Sequence, residues 1–75
     1  MSFIINYMNK HLMIHFSHIV EKAGVEIISD DNSEVDSFSI RNQDFINHYL
    51  PLEKGNYQVK IIEGDDENIK SIIVN

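Results

Sequence analysis

Four histidines and two groups of carboxylates are the side chains here whose types and spacing could do chemistry. On a helix His11, His15 and His18 would line one face, at the i, i+4 and i+3 spacings that suit a divalent cation. The next residue on that face is Lys22, whose charge opposes a bound metal, while Glu21 sits only at its flank. On a strand His11 and His15 share a face and His18 points the other way, so the constellation dissolves. The reading is a set of surface histidines, with no metal assigned.

The first acidic group is Asp30, Asp31, Asn32, Glu34 and Asp36, and the second is Glu63, Asp65, Asp66 and Glu67. Clustered carboxylates bind calcium through oxygen ligands, but neither stretch follows the twelve-residue loop with its glycine and closing glutamate. Solvated turn residues are the plain alternative. Placed together at one end of a fold, the two groups would gain affinity for a cation. As a surface, Asp30, Asp31, Glu34, Asp36, Glu63, Asp65, Asp66 and Glu67 are the expected interaction residues.

Nothing in the chain points to catalysis. No serine stands in a Gly-x-Ser-x-Gly elbow, and the three glycines are isolated, so no loop cradles a phosphate. No catalytic residue and no cofactor is expected, and the protein reads as a non-enzyme. Tyr49 and Tyr57 could stack on a ligand. Tyr57 is more simply a core anchor with its hydroxyl at the rim.

These side chains must be held by a small fold. Seventy-five residues make a single domain over 1–75, near the lower limit for a core without staples. Its stability is expected at roughly 4–11 kcal/mol. The absence of cysteine excludes disulfides, thiolate metal sites and cysteine nucleophiles. The net charge of −6 falls wholly in residues 30–75, because Lys10 and Lys22 cancel Glu21 and Glu26 before that point. Such a surface repels phosphate backbones, so no nucleic acid is expected. It fits a basic partner, or solubility alone. No stretch reaches the length of a membrane span, so no membrane insertion is expected. The first residues lack a basic region and Asn6 cuts their apolar run, so they do not read as a signal peptide.

The periodicity is mostly that of strands. Residues 2–8 put Phe3, Ile5 and Tyr7 on one face and Ile4 and Met8 on the other, and Asn9-Lys10 is a tight turn. Leu12, Ile14 and Phe16 alternate, as do Val25 and Ile27, before the turn-forming Asp30-Asp31-Asn32-Ser33. Val35, Phe38 and Ile40 make a strand whose period slips once, as at a bulge. Residues 45–50 form a further short strand ended by Pro51. Gly55 is the natural place for a positive φ. Tyr57, Val59 and Ile61 then alternate cleanly, residues 64–68 form a loop, and Ile69, Ser71 and Ile73 alternate in a final strand. The expected core is Phe16, Phe38, Tyr57, Val59, Ile61, Ile69 and Ile73, with Met13, Ile62 and Ile72 exposed. One segment dissents. Leu12, Met13, Phe16, Ile19, Val20 and Ala23 follow helical spacing, with Asn9 able to cap the start and Gly24 the end.

With the strands laid out, Leu12-Met13-Ile14-His15-Phe16-Ser17, Gly24-Val25-Glu26-Ile27-Ile28 and above all residues 52–61, with Gly55-Asn56-Tyr57, resemble a family of small immunoglobulin-like domains. These β-sandwich domains of unknown function come from Bacteroidetes. The pattern is also similar to the C-terminal sorting domains of type IX secretion. The resemblance implies an all-β, antiparallel immunoglobulin-like sandwich of six to seven short strands, with residues 16–24 an extended crossing between sheets. The alternative is an α+β domain with a helix over residues 10–23 on an antiparallel sheet. It also implies an extracytoplasmic protein, in the periplasm, at the cell surface or secreted.

The function that follows is a non-catalytic binding or structural module acting on a protein partner through sheet edges or acidic loops. A homodimer through those edges belongs to the same reading. A small acidic inhibitor of the phage decoy type, meeting a basic protein surface, is the alternative.

Overall fold

The structure is a computed structural model that describes residues 2–75. It contains five antiparallel strands: β1 (Phe3–Met8), β2 (His11–Ser29), β3 (Glu34–Tyr49), β4 (Gly55–Glu63) and β5 (Asp66–Val74). The all-β antiparallel class stands as expected. The strand count differs, because pairs of expected short strands are continuous: residues 11–29 form one strand and residues 34–49 another. The helix over residues 10–23 is absent, that segment being the first two thirds of β2.

Two tight turns set the registers. Asn9 and Lys10 both have positive φ (53° and 64°), as the two-residue turn that matches strand twist requires. They fix Met8 opposite His11 and Phe3 opposite Phe16. Gly64, with φ 60°, opens a second two-residue turn and puts Glu63 opposite Asp66. The expected loop over residues 64–68 therefore shrinks to Gly64 and Asp65, and β5 begins at Asp66.

β2 is the spine. One of its edges pairs with β3 along nearly the whole length, while the other is shared by β1 at residues 11–16 and β4 at residues 24–29. Between these partners the ribbon turns a corner. His15 pairs with Phe45 but Val20 pairs with Gln43, so residues 16–19 of β2 face Asp44 alone. Extra residues on one strand bend it and raise its twist. A second irregularity leaves Val35 without a partner between the pairs Ile27–Asp36 and Ile28–Glu34, at the slip expected from the sequence. The bent ribbon divides the sheet into a first half (β1 with residues 11–16 and 45–49) and a second half (residues 20–29 and 34–43 with β4 and β5).

Both halves turn their apolar faces inward. Phe3, Leu12, Ile14, Phe16 and Ile46 of the first half meet Val25, Ile27, Ile40, Val59 and Ile61 of the second, with Val20 and Ala23 at the corner. Phe16, Val59 and Ile61 of the expected core are buried, and Phe38 and Tyr57 pack half-buried against it. Ile69 and Ile73 are instead exposed, while Ile72 packs against the core and Val74 is buried. The two-residue turn is the reason. It pairs Val59 with Lys70 and Tyr57 with Ile72, so the even-numbered residues of β5 share the inward face.

Lys70 is consequently an inward-pointing cation. Its ammonium lies 4.4 Å from the Phe3 ring centroid and donates to the Phe3 carbonyl, across the seam where β5 meets β1 without pairing. Inward charge on an edge strand discourages pairing with another chain. The link from β3 to β4 is fastened by two tyrosines. Tyr7 Oη donates to Leu50 O at 2.6 Å and accepts from Leu52 N at 3.1 Å, and Tyr57 Oη donates to Glu53 O at 2.7 Å.

Candidate functional site

The eight acidic residues singled out in the sequence divide into three environments. Asp30 and Asp31 lie in the β2–β3 turn. The Asp31 carboxylate accepts from Ser29 Oγ and, at 3.1 Å, from Ser33 N. The Ser29 hydroxyl, then Ser33, hold that carboxyl below its usual range although it is fully exposed. Asp31 thus closes the turn on itself. Glu34 opens β3 and is exposed, whereas Asp36 faces inward and binds His48 Nε2 at 2.9 Å.

That pair joins the two ends of β3 across its bend. His48 also stacks on Phe38, with ring centroids 4.0 Å apart and 24° between planes. An imidazole held by a carboxylate is the orienting half of a triad. Here the ring is clamped between the Asp36 carboxylate and the Phe38 face, which makes a clasp within one strand. Sequence reading placed Asp36 in an acidic cluster and missed His48, because nothing local shows that residues 36 and 48 meet.

Glu63, Asp65, Asp66 and Glu67 surround the β4–β5 turn. Lys60 Nζ lies 3.3 Å from Glu67, and His18 Nε2 lies 4.0 Å from Glu63. The two acidic groups do not share an end of the fold. Ser29 pairs with Tyr57 near the first group, and Gly24 pairs with Ile62 near the second, a separation of five strand steps or roughly 17 Å. Among the described residues, no three histidine, aspartate or glutamate side chains converge as metal ligands. A groove of about 320 Å³ runs beside Asp30 and Asn32 over Asn56, Tyr57 and Ile73, open and partly polar.

The outward face of the first half is of a different kind. Cross-strand partners share a face, and the registers set three rows across β1, β2 and β3. These are Met8–His11–Tyr49, Asn6–Met13–Asn47 and Ile4–His15–Phe45. Ile4 is 71% exposed, Tyr49 60%, Met8 54% and Phe45 48%. The rings meet edge to face, His11 with Tyr49 at 5.4 Å and His15 with Phe45 at 6.1 Å. No aspartate, glutamate, lysine or arginine stands in the grid. Alternation already placed Ile4 with Met8 and His11 with His15, but the facing of residues 45–50 was open, so the aromatic column could not be assembled.

No protein-family model matches this chain, and none of the curated proteins is similar to it. The site is therefore read from its own geometry.

Proposed function

We propose that the protein is a non-catalytic binding module, part of an exported bacterial protein, that takes up an extended segment of a protein partner along β3. The observation that carries this reading is the one-sided pairing of β3. Its sixteen residues pair with β2 and with no other strand among the described residues. A free strand edge offers a row of unpaired amide and carbonyl groups, and an added strand supplies main-chain bonds along it. Val35 and Phe45 are exposed beside that edge and would provide side-chain selectivity.

Other edges are less inviting. Lys70 spans the seam between β1 and β5, which leaves β3 as the long accessible template. The polar side chains with defined partners, Asp36–His48, Tyr7 and Tyr57, hold strands and links together, which supports a binding role over a reaction. In the immunoglobulin-like reading, the two halves of the curled sheet stand for the two layers of a sandwich. The exported location rests on the same resemblance.

The test is a selection from a random peptide library, followed by mapping the selected peptides through amide chemical shifts. The expected result is extended, apolar-alternating peptides that perturb residues 34–40 or 45–49. Peptides that map to the β4–β5 turn or to the groove beside Asn56 would refute strand addition on β3.

A further inference from the structure

Lys22 and Arg41 stand directly opposite each other on β2 and β3. The next pair along, Ala23 and Ile40, is buried, so the two cations share the outward face of the second half. Facing residues of a strand pair hold their Cβ atoms about 5 Å apart, and like charges placed there destabilise a sheet. Among the described residues neither cation makes an ion pair. Lys60, two rows along the same face, is bonded to Glu67 at 3.3 Å and stands opposite Glu26. On a chain of net charge −6 with six basic residues, two are thus set side by side and left unmatched.

The adjoining row on that face has Gly24 between Ser39 and Ile62. Gly24 lies in an unbroken ladder on both sides and does not have a positive φ, so no turn or bulge calls for glycine. A Cβ built on it would meet no atom within 4 Å, so packing does not call for it either. A glycine inside a strand weakens the strand, and where neither need applies it marks a place where a ligand can approach the backbone. Here it floors a groove of about 490 Å³ that Lys22, Ser39, Arg41 and Gly64 help to line.

We infer that this groove is an anion site that takes a single phosphate group carried by a small molecule. Arg41 offers a planar fork of donors, Lys22 a compact point charge and Ser39 a hydroxyl. Two charges and a hydroxyl match a dianion with several oxygens. A carboxylate, with one charge and two oxygens, would leave a cation unmatched. The acidic β4–β5 turn reaches the groove at Gly64 and repels a longer polyanion, which keeps the ligand small. The site uses the face of β3 and leaves its edge open, so it stands or falls separately from strand addition.

The experiment titrates the whole chain with inorganic phosphate in place of chloride at fixed ionic strength, followed by amide chemical shifts. The expected result is a saturable shift centred on residues 22–24 and 39–41. Arg41→Gln and Lys22→Gln should each weaken binding roughly fivefold to tenfold, while Lys54→Gln, in the link from β3 to β4, leaves it unchanged. Gly24→Val should fill the floor and abolish the shift. Lys22→Gln and Gly24→Val should also melt at or above the wild-type temperature, because one relieves a like-charge pair and the other a strand glycine. Both variants melting lower would show that these residues serve the fold, and would overturn the inference. So would the absence of a saturable shift at about 10 mM phosphate. Acetate bound as tightly as phosphate would give the pair to a carboxylate instead, and binding seen only with phosphatidic acid vesicles would give it to a lipid surface.

Discussion

The two halves of the sheet bury similar residues and expose very different ones. Inside, Phe3, Leu12, Ile14 and Ile46 of the first half are matched by Val25, Ile27, Val59 and Ile61 of the second. Outside, the first half carries Ile4, Met8, Met13, Phe45, Tyr49 and two histidines without one formal charge. The second half sets Glu26 beside Lys60, and Ile62 beside Glu67. A curled sheet needs an apolar lining on both halves, so the common interior follows from the fold. Nothing in the fold requires an apolar exterior on one half only. That asymmetry is where a specific role is written.

The most severe way to probe the comparison is to open a cavity in each half. Ile14 and Ile27 are both fully buried. Ile14→Ala and Ile27→Ala should each cost about 2–5 kcal/mol, a large part of the total stability. Because β2 runs through both halves, the two variants are expected to lower the urea midpoint of both halves together. Amide exchange that melted one half while sparing the other would show two units instead of one.

Next in size is Tyr7→Phe, which leaves Leu50 O and Leu52 N without their partner. A cost of about 1–3 kcal/mol is expected, with amide exchange at Leu52 rising more than at Leu12 or Ile27. Equal acceleration everywhere would mean that the tyrosine supports the whole core and not the link.

Lys70→Met should change the melting temperature little, because the side chain remains long enough to cover Phe3. Its effect is expected in light scattering, as increased aggregation once the inward charge no longer blocks the β1–β5 seam. A variant as soluble as the wild type would return that role to other features of the edge.

The smallest effect belongs to Asp31. Its carboxyl titrates below the ordinary range near 3.9 when folded, so its stabilising contribution is present above that range. It is lost as pH falls through the lower folded value. Asp31→Asn should narrow the difference in melting temperature between pH 5 and pH 3 slightly, since the group is fully exposed. A wider difference in the variant would contradict the hydrogen-bond account.

Legibility in the sequence followed how local the cause was. The turn at Asn9-Lys10, the slip near Val35 and the alternation of Tyr57, Val59 and Ile61 were all readable, because each is set within a few residues. The corner of β2 was not. Its bulge spaces the buried Phe16, Val20 and Ala23 by four and three, which is the period of a helix, although the backbone is extended throughout. Met13 and Ile19, which the helical reading placed on the same face, point away from the core. The facing of β5 failed for a related reason. Ile69 and Ile73 alternate as well as Ile72 and Val74 do, and Lys70 argued for the wrong face until the turn fixed the register. Of the candidate site, the histidines and Met13 were visible one by one. The grid they form with Phe45 and Tyr49 depends on pairing across thirty or more residues.

The shared strand β2 also orders events in time. β1, β2 and β3 are joined by a two-residue and a four-residue turn, so the first half can be completed from residues 3–49 alone. The pairing of β2 with β4 spans an intervening strand, and closing that larger loop is the slower step. In refolding, β1, β2 and β3 are therefore expected to pair before β4 and β5 join them. Until they join, the edge of β2 at residues 24–29 stays unpaired, and the late hairpin closes it.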